Sequence, residues 1–399
     1  MSDSTRTLPA ARVLPPTIAM GGGTFDAAAD GSADPGLIAG PVAAGSRGAG
    51  SAAPGSAETG SAAPRRHPDW IKARIPSGDA FQEVRRLLHG LTLNTVCEEA
   101  HCPNMGECWD QRTATVMILG DTCTRSCGFC AVKTGKPLVH DLDEPRRVAE
   151  AIRGLGLDHV VITSVARDDL GDGGAGIFAE TIRRLRIACP GMGVEVLIPD
   201  FKGEEAPLRT VMAAGPDILN HNIETVARLQ KPVRKRARYD RSLGVLERAK
   251  AYAHELGSMG VVHTKSSIMV GLGETRPELH QAFVDLRAVD CDILTLGQYL
   301  RPSPQHLPVE RYYHPDEFAE MRQEALALGF KHVESGPLVR SSYHARDQVP
   351  GAAARRAARA AGVGAADATW SAEAPVDGEG AIRSFPTIAP DGRVIYRPD

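Results

Sequence analysis

The stretch Ala114-Thr115-Val116-Met117-Ile118-Leu119-Gly120-Asp121-Thr122-Cys123-Thr124-Arg125-Ser126-Cys127-Gly128-Phe129-Cys130 is a short β-branched apolar run that passes straight into three cysteines. The run predicts a buried strand over Ala114–Leu119, and Gly120-Asp121 ends it. The same kind of run recurs at His159–Val165, Val194–Pro199, Ile218–Ile223, Thr264–Val270 and Ile293–Tyr299. Amphipathic segments separate the runs: Glu144–Leu155, Ile177–Ala188, Ser242–Leu256, Glu278–Ala288 and Asp316–Leu328. Strands alternating with helices imply βαβ units and a parallel sheet, with right-handed crossovers. A complete eight-unit barrel needs roughly 250 residues. From Ala114 to Leu328 there are only about 215. The expected fold class is therefore α/β, a partial (β/α)6 TIM-like barrel with an N-terminal cysteine-rich extension and disordered tails. In such folds the chemistry sits at the C-terminal strand ends, and the first strand ends just before Cys123.

Composition narrows the function classes. The formal net charge of −3 over 399 residues gives no field to hold a polyanion, so no nucleic acid partner is expected. No run approaches the roughly 18 to 20 apolar residues of a membrane span, and no secretory signal opens the chain. At the N-terminus Arg6 and Arg12 are diluted by Asp3, Asp26, Asp30 and Asp34, which weakens a mitochondrial presequence reading. Residues 21–64 hold 33 Gly, Ala, Ser or Pro out of 44, too little apolar surface to offset ordering entropy. Residues 1–65 are expected to be a disordered tail. Residues 348–399, Ala-rich at the start, are expected to be a mostly flexible second tail, with Gly351–Ala366 open between a short helix and disorder.

Six of the eight cysteines fall between Cys97 and Cys130. Disulfide scaffolds belong to short secreted chains, so metal binding in a reducing cytoplasm fits better. Cys189 and Cys291, standing apart, read as small buried hydrophobes. Cys123, Cys127 and Cys130, at spacing x3 then x2 on a loop after a strand, suit one 4Fe-4S cube with one iron left open. Zinc would want a fourth ligand, and none follows within reach. Cys97, Cys102 and Cys108, at spacing x4 then x5, form another triplet earlier in the chain, with fourteen residues between Cys108 and Cys123. His101 is a poor fourth zinc ligand because it adjoins Cys102.

The Cys-x3-Cys-x2-Cys set, with Phe129 before its last cysteine, resembles the signature of radical S-adenosylmethionine enzymes. The two triplets in this order resemble the lipoyl synthase family. The likeness continues in Asp69-Trp70-Ile71-Lys72, Ala131-Val132-Lys133-Thr134-Gly135, Ser164-Val165-Ala166-Arg167-Asp168-Asp169, Asn220-His221-Asn222-Ile223-Glu224-Thr225, Met269-Val270-Gly271-Leu272-Gly273-Glu274, Gly297-Gln298-Tyr299-Leu300 and Arg340-Ser341-Ser342-Tyr343. It runs from 68 to 346 and covers neither tail.

The resemblance implies two 4Fe-4S clusters and S-adenosyl-L-methionine. Cys123, Cys127 and Cys130 would hold the cluster that shares its open iron with S-adenosylmethionine and yields the 5′-deoxyadenosyl radical. Phe129 would shield that cluster or pack on adenine, against ordinary loop packing. Cys97, Cys102 and Cys108, with Ser342 as an oxygen ligand, would hold an auxiliary cluster that gives up sulfur. The plain alternative for Ser342 is a cap or turn hydroxyl. By this likeness 66–112 is the auxiliary-cluster extension and 113–347 the radical barrel with the C-terminal ligand motif. Thr163, Ser164, Arg167, Asp168, Asn222, Glu224 and Lys265 lie at or after strand ends, and none is singled out as catalytic. The implied reaction inserts sulfur at carbons 6 and 8 of an octanoyl chain on a carrier lysine. Implied partners are octanoylated lipoyl carrier domains (2-oxo-acid dehydrogenase acyltransferase subunits and the glycine cleavage H protein), an electron donor such as flavodoxin or ferredoxin, and an iron–sulfur carrier for repair. The expected location is cytoplasmic. Two alternatives remain: another sulfur-inserting radical enzyme such as a methylthiotransferase, and a non-enzymatic zinc-binding module.

Overall fold

A computed structural model describes residues 67–73, 78–110, 115–138, 140–157, 159–256, 262–348, 387–388 and 394–395. The expectations for residues 1–65, and nearly all of those for 348–399, lie outside the described residues. The elements are α1 (Asp79–Gly90), β1 (Asn94–Thr95), α2 (Val96–Glu99), α3 (Met105–Asp110), β2 (Thr115–Ile118), α4 (Glu144–Leu155), β3 (His159–Ser164), α5 (Ala175–Ala188), β4 (Gly193–Leu197), α6 (Glu205–Ala213), β5 (Ile218–Asn220), α7 (Gln230–Val233), α8 (Tyr239–Glu255), β6 (His263–Val270), α9 (Arg276–Ala288), β7 (Ile293–Gln298), α10 (Pro315–Ala327) and β8 (His332–Gly336). Residues 387–388 and 394–395 pair as a separate antiparallel ribbon.

One sheet holds β1 to β8 in sequence order. β1 is antiparallel to β2, and every later pair is parallel. All six expected strands are present, and β2 to α10 make six βα units. Two strands of this sheet were not foreseen, the two-residue β1 and the seventh parallel strand β8, nor were helices α1, α2, α3, α6 and α7. β8 lacks a β-branched run. Only Val333 is buried in it, as befits the sheet's edge, where one flank carries no neighbour.

Each strand splits its side chains between two faces, because successive residues point opposite ways. Val160, Ile162, Val194, Val196, Leu219, Ile268, Leu294 and Leu296 pack with the helices in two apolar clusters. Each such side chain, fully buried, contributes roughly 2 kcal/mol. The alternate positions face the inside of the curve and are polar although buried: His159, Thr163, Glu195, Asn220, Lys265 and Thr295. Ile218 and Ile293 form a small apolar pair apart from the helical clusters. Cys189 and Cys291 are buried in the outer clusters, as the sequence suggests. A sheet polar on its inner face and apolar on its outer one directs any ligand to the concave side and its C-terminal rim.

Candidate functional site

β2 ends at Ile118, and the next two residues take left-handed backbone, Leu119 at φ 69° and Gly120 at φ 85°. The Leu119 amide donates to Glu144 Oε2 at 2.6 Å. This bend leads into the loop Cys123–Cys130, which is pinned on several sides. The Cys123 amide donates to the Lys133 carbonyl at 2.8 Å, that of Thr124 to Ala166 at 3.0 Å, and that of Gly128 to Val233 at 2.9 Å. The Leu307 amide donates back to the Gly128 carbonyl at 3.0 Å. A Cβ on Gly128 would stand 2.9 Å from the Leu307 side chain and 3.1 Å from the Pro232 carbonyl, so glycine is needed for this close approach. Cys123 Sγ accepts from the amides of Arg125 and Ala166 at 3.4 and 3.3 Å.

Glu144, at the start of α4, is buried, and burial pushes its carboxyl up to about 7 from an ordinary 4.5. With a raised acid, its contribution is fullest below pH 4.5 and is lost as the pH climbs through 7. Glu144→Gln keeps an acceptor for the Leu119 amide without the buried charge. The variant's melting temperature relative to the native chain should rise between pH 5 and pH 8, a swing of about 3 kcal/mol. A difference that stays flat with pH would show that Glu144 does not titrate there.

Around the same loop lies a charged lattice. Arg125 forks onto Asp168 at 2.8 and 2.7 Å and reaches Asp200 at 2.7 Å. Burial works against the Asp200 charge, but the Arg125 guanidinium holds it down at about 2. Burial pushes the thiols of Cys127 and Cys130 up to about 11 and about 12, and the neighbouring cysteines of the triplet add to this. The buried Arg234 opposes the shift at Cys127. Phe129 packs against an apolar cluster of Val233, Leu272 and Tyr299.

The first triplet is built on two short helices. Thr95 caps α2, its hydroxyl accepting from the Glu98 amide at 3.2 Å. The Cys102 amide donates to the Cys97 carbonyl at 2.9 Å and that of Cys108 to Asn104 at 2.8 Å. Burial again raises the thiols, Cys97 to about 11, Cys102 upward, and Cys108 to about 12; Cys102 adds at Cys97, and both add at Cys108. The segment after β8 closes on this triplet. Asn104 Nδ2 donates to the Leu338 carbonyl at 2.6 Å, and the Tyr343 hydroxyl to Glu107 Oε1 at 3.3 Å. Ser342 Oγ accepts from Thr115 Oγ1 at 2.8 Å, and Thr115 opens β2, whose next residue pairs with Thr95 just ahead of Cys97. The serine picked out in the sequence is thus bonded to the strand beside the first triplet, 227 positions from Thr115 in the chain.

All eight cysteines are free thiols. Within each triplet they feel one another electrostatically, yet among the described residues no three His, Cys, Asp or Glu side chains converge as they would on a single metal ion. The six thiols are soft donors of the kind that binds iron–sulfur groups. Protonated thiols would release their protons on binding. The polar residues at the strand ends divide. Ser164 Oγ and Asn222 Oδ1 are buried without a partner, which fits a polar ligand at the rim. Asn222 Nδ2 donates to Glu224 Oε1 at 3.0 Å, and Glu224 stands in left-handed backbone at φ 65°. Thr163 is spent on the Leu197 carbonyl at 3.1 Å, Arg167 pairs with Asp169 at 2.9 Å, and Asp168 with Arg125. Lys265 is drawn inside the sheet to Glu195 at 2.9 Å. Sequence reading passed over Arg125, Asp200 and Arg234; the one available signal was the dense run of cations that contains Arg234.

The radical SAM superfamily model matches residues 117–286. The model for the N-terminal domain of lipoyl synthase matches residues 46–102, so the likeness begins earlier than position 68, inside the segment set apart by composition. A lipoyl synthase of Symbiobacterium thermophilum is 60% identical over 301 residues, covering 75% of this chain and 92% of its own. That of Oceanobacillus iheyensis is 58% identical over 292 residues, covering 73% and 91%. The chain belongs to the lipoyl synthase family. Lipoyl synthase of Rubrobacter xylanophilus is also similar, 59% identical over 281 residues. Among solved structures, methylornithine synthase aligns at TM-score 0.41 and 14% identity, over 64% of this chain and 81% of that one. As a lipoyl synthase the chain is a radical S-adenosylmethionine enzyme that inserts sulfur, with a 4Fe-4S cluster and S-adenosylmethionine as cofactors. Membership sets aside the methylthiotransferase and zinc-module alternatives. No helix among the described residues is long and apolar enough to cross a membrane.

Proposed function

We propose that this lipoyl synthase carries two 4Fe-4S clusters with separate tasks. Cys123, Cys127 and Cys130 would hold the one that engages S-adenosylmethionine, and Cys97, Cys102, Cys108 and Ser342 the auxiliary one. The observation that carries the second assignment is the closure of the segment after β8 on the Cys97–Cys108 segment, through Asn104 to Leu338, Tyr343 to Glu107 and Thr115 to Ser342. Bound there, the cluster on Cys123, Cys127 and Cys130 would supply one-electron cleavage of the sulfonium, and the one on Cys97, Cys102 and Cys108 would supply sulfur. The protein positions and shields. Ser164 Oγ and Asn222 Oδ1 are free to take polar groups of the cofactor, and Phe129 closes the loop's apolar side. The curved sheet keeps water from the reacting carbons. The substrate would be an octanoyl chain on a lysine of a lipoyl carrier domain, whose six methylenes are worth roughly 5 kcal/mol on burial. A cytoplasmic location would suit six clustered cysteines that bind iron rather than pair as disulfides. Under this reading 66–112 is the auxiliary-cluster segment and 113–347 the radical barrel.

Anaerobic reaction of the enzyme with an octanoyl-lysyl peptide, S-adenosylmethionine and dithionite tests the reading by mass spectrometry. The expected product carries two added sulfurs. Cofactor cleavage with no change in peptide mass would refute it.

Ser342 offers a finer test. Thiolate suits iron better than alkoxide, so Ser342→Cys should retain iron at least as well as the native chain. Sulfur insertion should slow or stop while cofactor cleavage persists. Sulfide isotope built into the clusters should appear in the native product, and unlabelled product would point to an external donor instead.

A further inference from the structure

Residues 231–241 contain six cations, Lys231, Arg234, Lys235, Arg236, Arg238 and Arg241, and one carboxylate, Asp240, in a chain of net charge −3. Two of the cations turn inward. Arg234 is buried, and Arg241 meets Asp200 at 3.2 Å. The other four are exposed. Arg238 pairs with Asp240, and Arg236 stands 3.9 Å from Asp168. Among the described residues, the ammonium groups of Lys231 and Lys235 engage no ion pair or hydrogen bond. This basic segment leans directly on the second triplet's loop: the Gly128 amide donates to the Val233 carbonyl at 2.9 Å, and the Pro232 carbonyl faces Gly128.

The geometry points to a docking site on residues 231–238 for an acidic one-electron carrier protein. The inference rests on the reading that the Cys123–Cys130 loop holds a cluster needing an electron from outside. The donor gives up one electron and is oxidised by one; the cluster accepts it and is reduced by one. Unpaired surface cations beside that loop recruit an acidic partner by long-range attraction, which speeds encounter about 10- to 1000-fold and weakens with salt. The backbone contacts from Val233 and Pro232 to Gly128 put a partner seated here within a few residues of the thiols.

Lys231→Glu combined with Lys235→Glu tests the site, since neither residue holds a structural partner. Flavodoxin serves as the acidic probe. Its Kd for the cluster-loaded protein is measured by calorimetry at about 20 mM and about 200 mM salt. S-adenosylmethionine cleavage is followed in parallel with reduced flavodoxin and with dithionite. The expected result is flavodoxin binding at least about tenfold weaker at low salt, a smaller difference at high salt, and unchanged cleavage with dithionite. Unchanged flavodoxin binding overturns the proposal. So does weaker binding of an octanoylated carrier domain with flavodoxin unaffected, which would reassign the patch to the substrate. Equal loss with both reductants also overturns it, since the lysines would then belong to the cofactor site. A native enzyme that fails to cleave with dithionite would sink the cluster reading, while the binding measurement still decides whether an acidic protein docks here.

Discussion

Cys127→Ala is expected to leave a folded protein that no longer cleaves S-adenosylmethionine. The loop around Cys127 is held by backbone bonds to Lys133, Ala166 and Val233, none of which involves its thiol, so the scaffold survives the change. Two thiolates cannot keep a cube that needs three. Iron should fall from about eight atoms per chain to about four. Cys102→Ala should show the same iron loss and the opposite chemistry: cleavage persists and no sulfur reaches the product. Iron analysis with chromatographic detection of 5′-deoxyadenosine reads both. If the two variants behave alike, the division of labour between the triplets is wrong.

The largest effect on stability is expected at Lys265, inside the sheet. Its ammonium lies 2.9 and 3.2 Å from the two oxygens of Glu195, and both side chains are fully shielded from water. Asn220 Nδ2 adds a bond to Glu195 at 3.0 Å, and His159 lies 3.7 Å away. Burial opposes the Glu195 charge, but Lys265 keeps the carboxylate below its ordinary range. Lys265→Ala strands a carboxylate inside the sheet and should cost about 3–5 kcal/mol. Replacing both partners, Lys265→Met with Glu195→Leu, removes the charges together and should restore most of that loss. Guanidinium midpoints of the three proteins decide the matter. A double variant as unstable as the single one would mean that the inner face needs polarity as such.

The outward half of this fold was legible because it is apolar. Runs such as His-Val-Val-Ile-Thr-Ser at 159–164 announce strands buried on both faces, and the intervening helices carry clear apolar stripes. β8 escaped because an edge strand buries little, and His332, Glu334 and Ser335 give no such run. α6 is short and begins Glu-Ala-Pro, a modest signal. The cysteine triplets were legible because thiols at those spacings have few other uses. The contacts that place Ser342 were not: Thr115 and Ser342 meet only after every strand between them has been laid down. Arg125, Asp200 and Arg234 were missed for a related reason, since a buried charge looks the same in sequence as a surface one.

The contact between Thr115 and Ser342 also imposes an order of events on synthesis. The two residues are 227 positions apart. At about 5–20 residues per second, the ribosome delivers Ser342 roughly 10 to 45 seconds after Thr115. Through most of that interval all six clustered thiols have been made, and the segment that closes over the first triplet does not yet exist. The nascent chain thus passes through a stage in which its most oxidation-prone side chains are made but not enclosed. Completion of the first triplet's surroundings is a late step, waiting for β8 to add to the edge of the sheet.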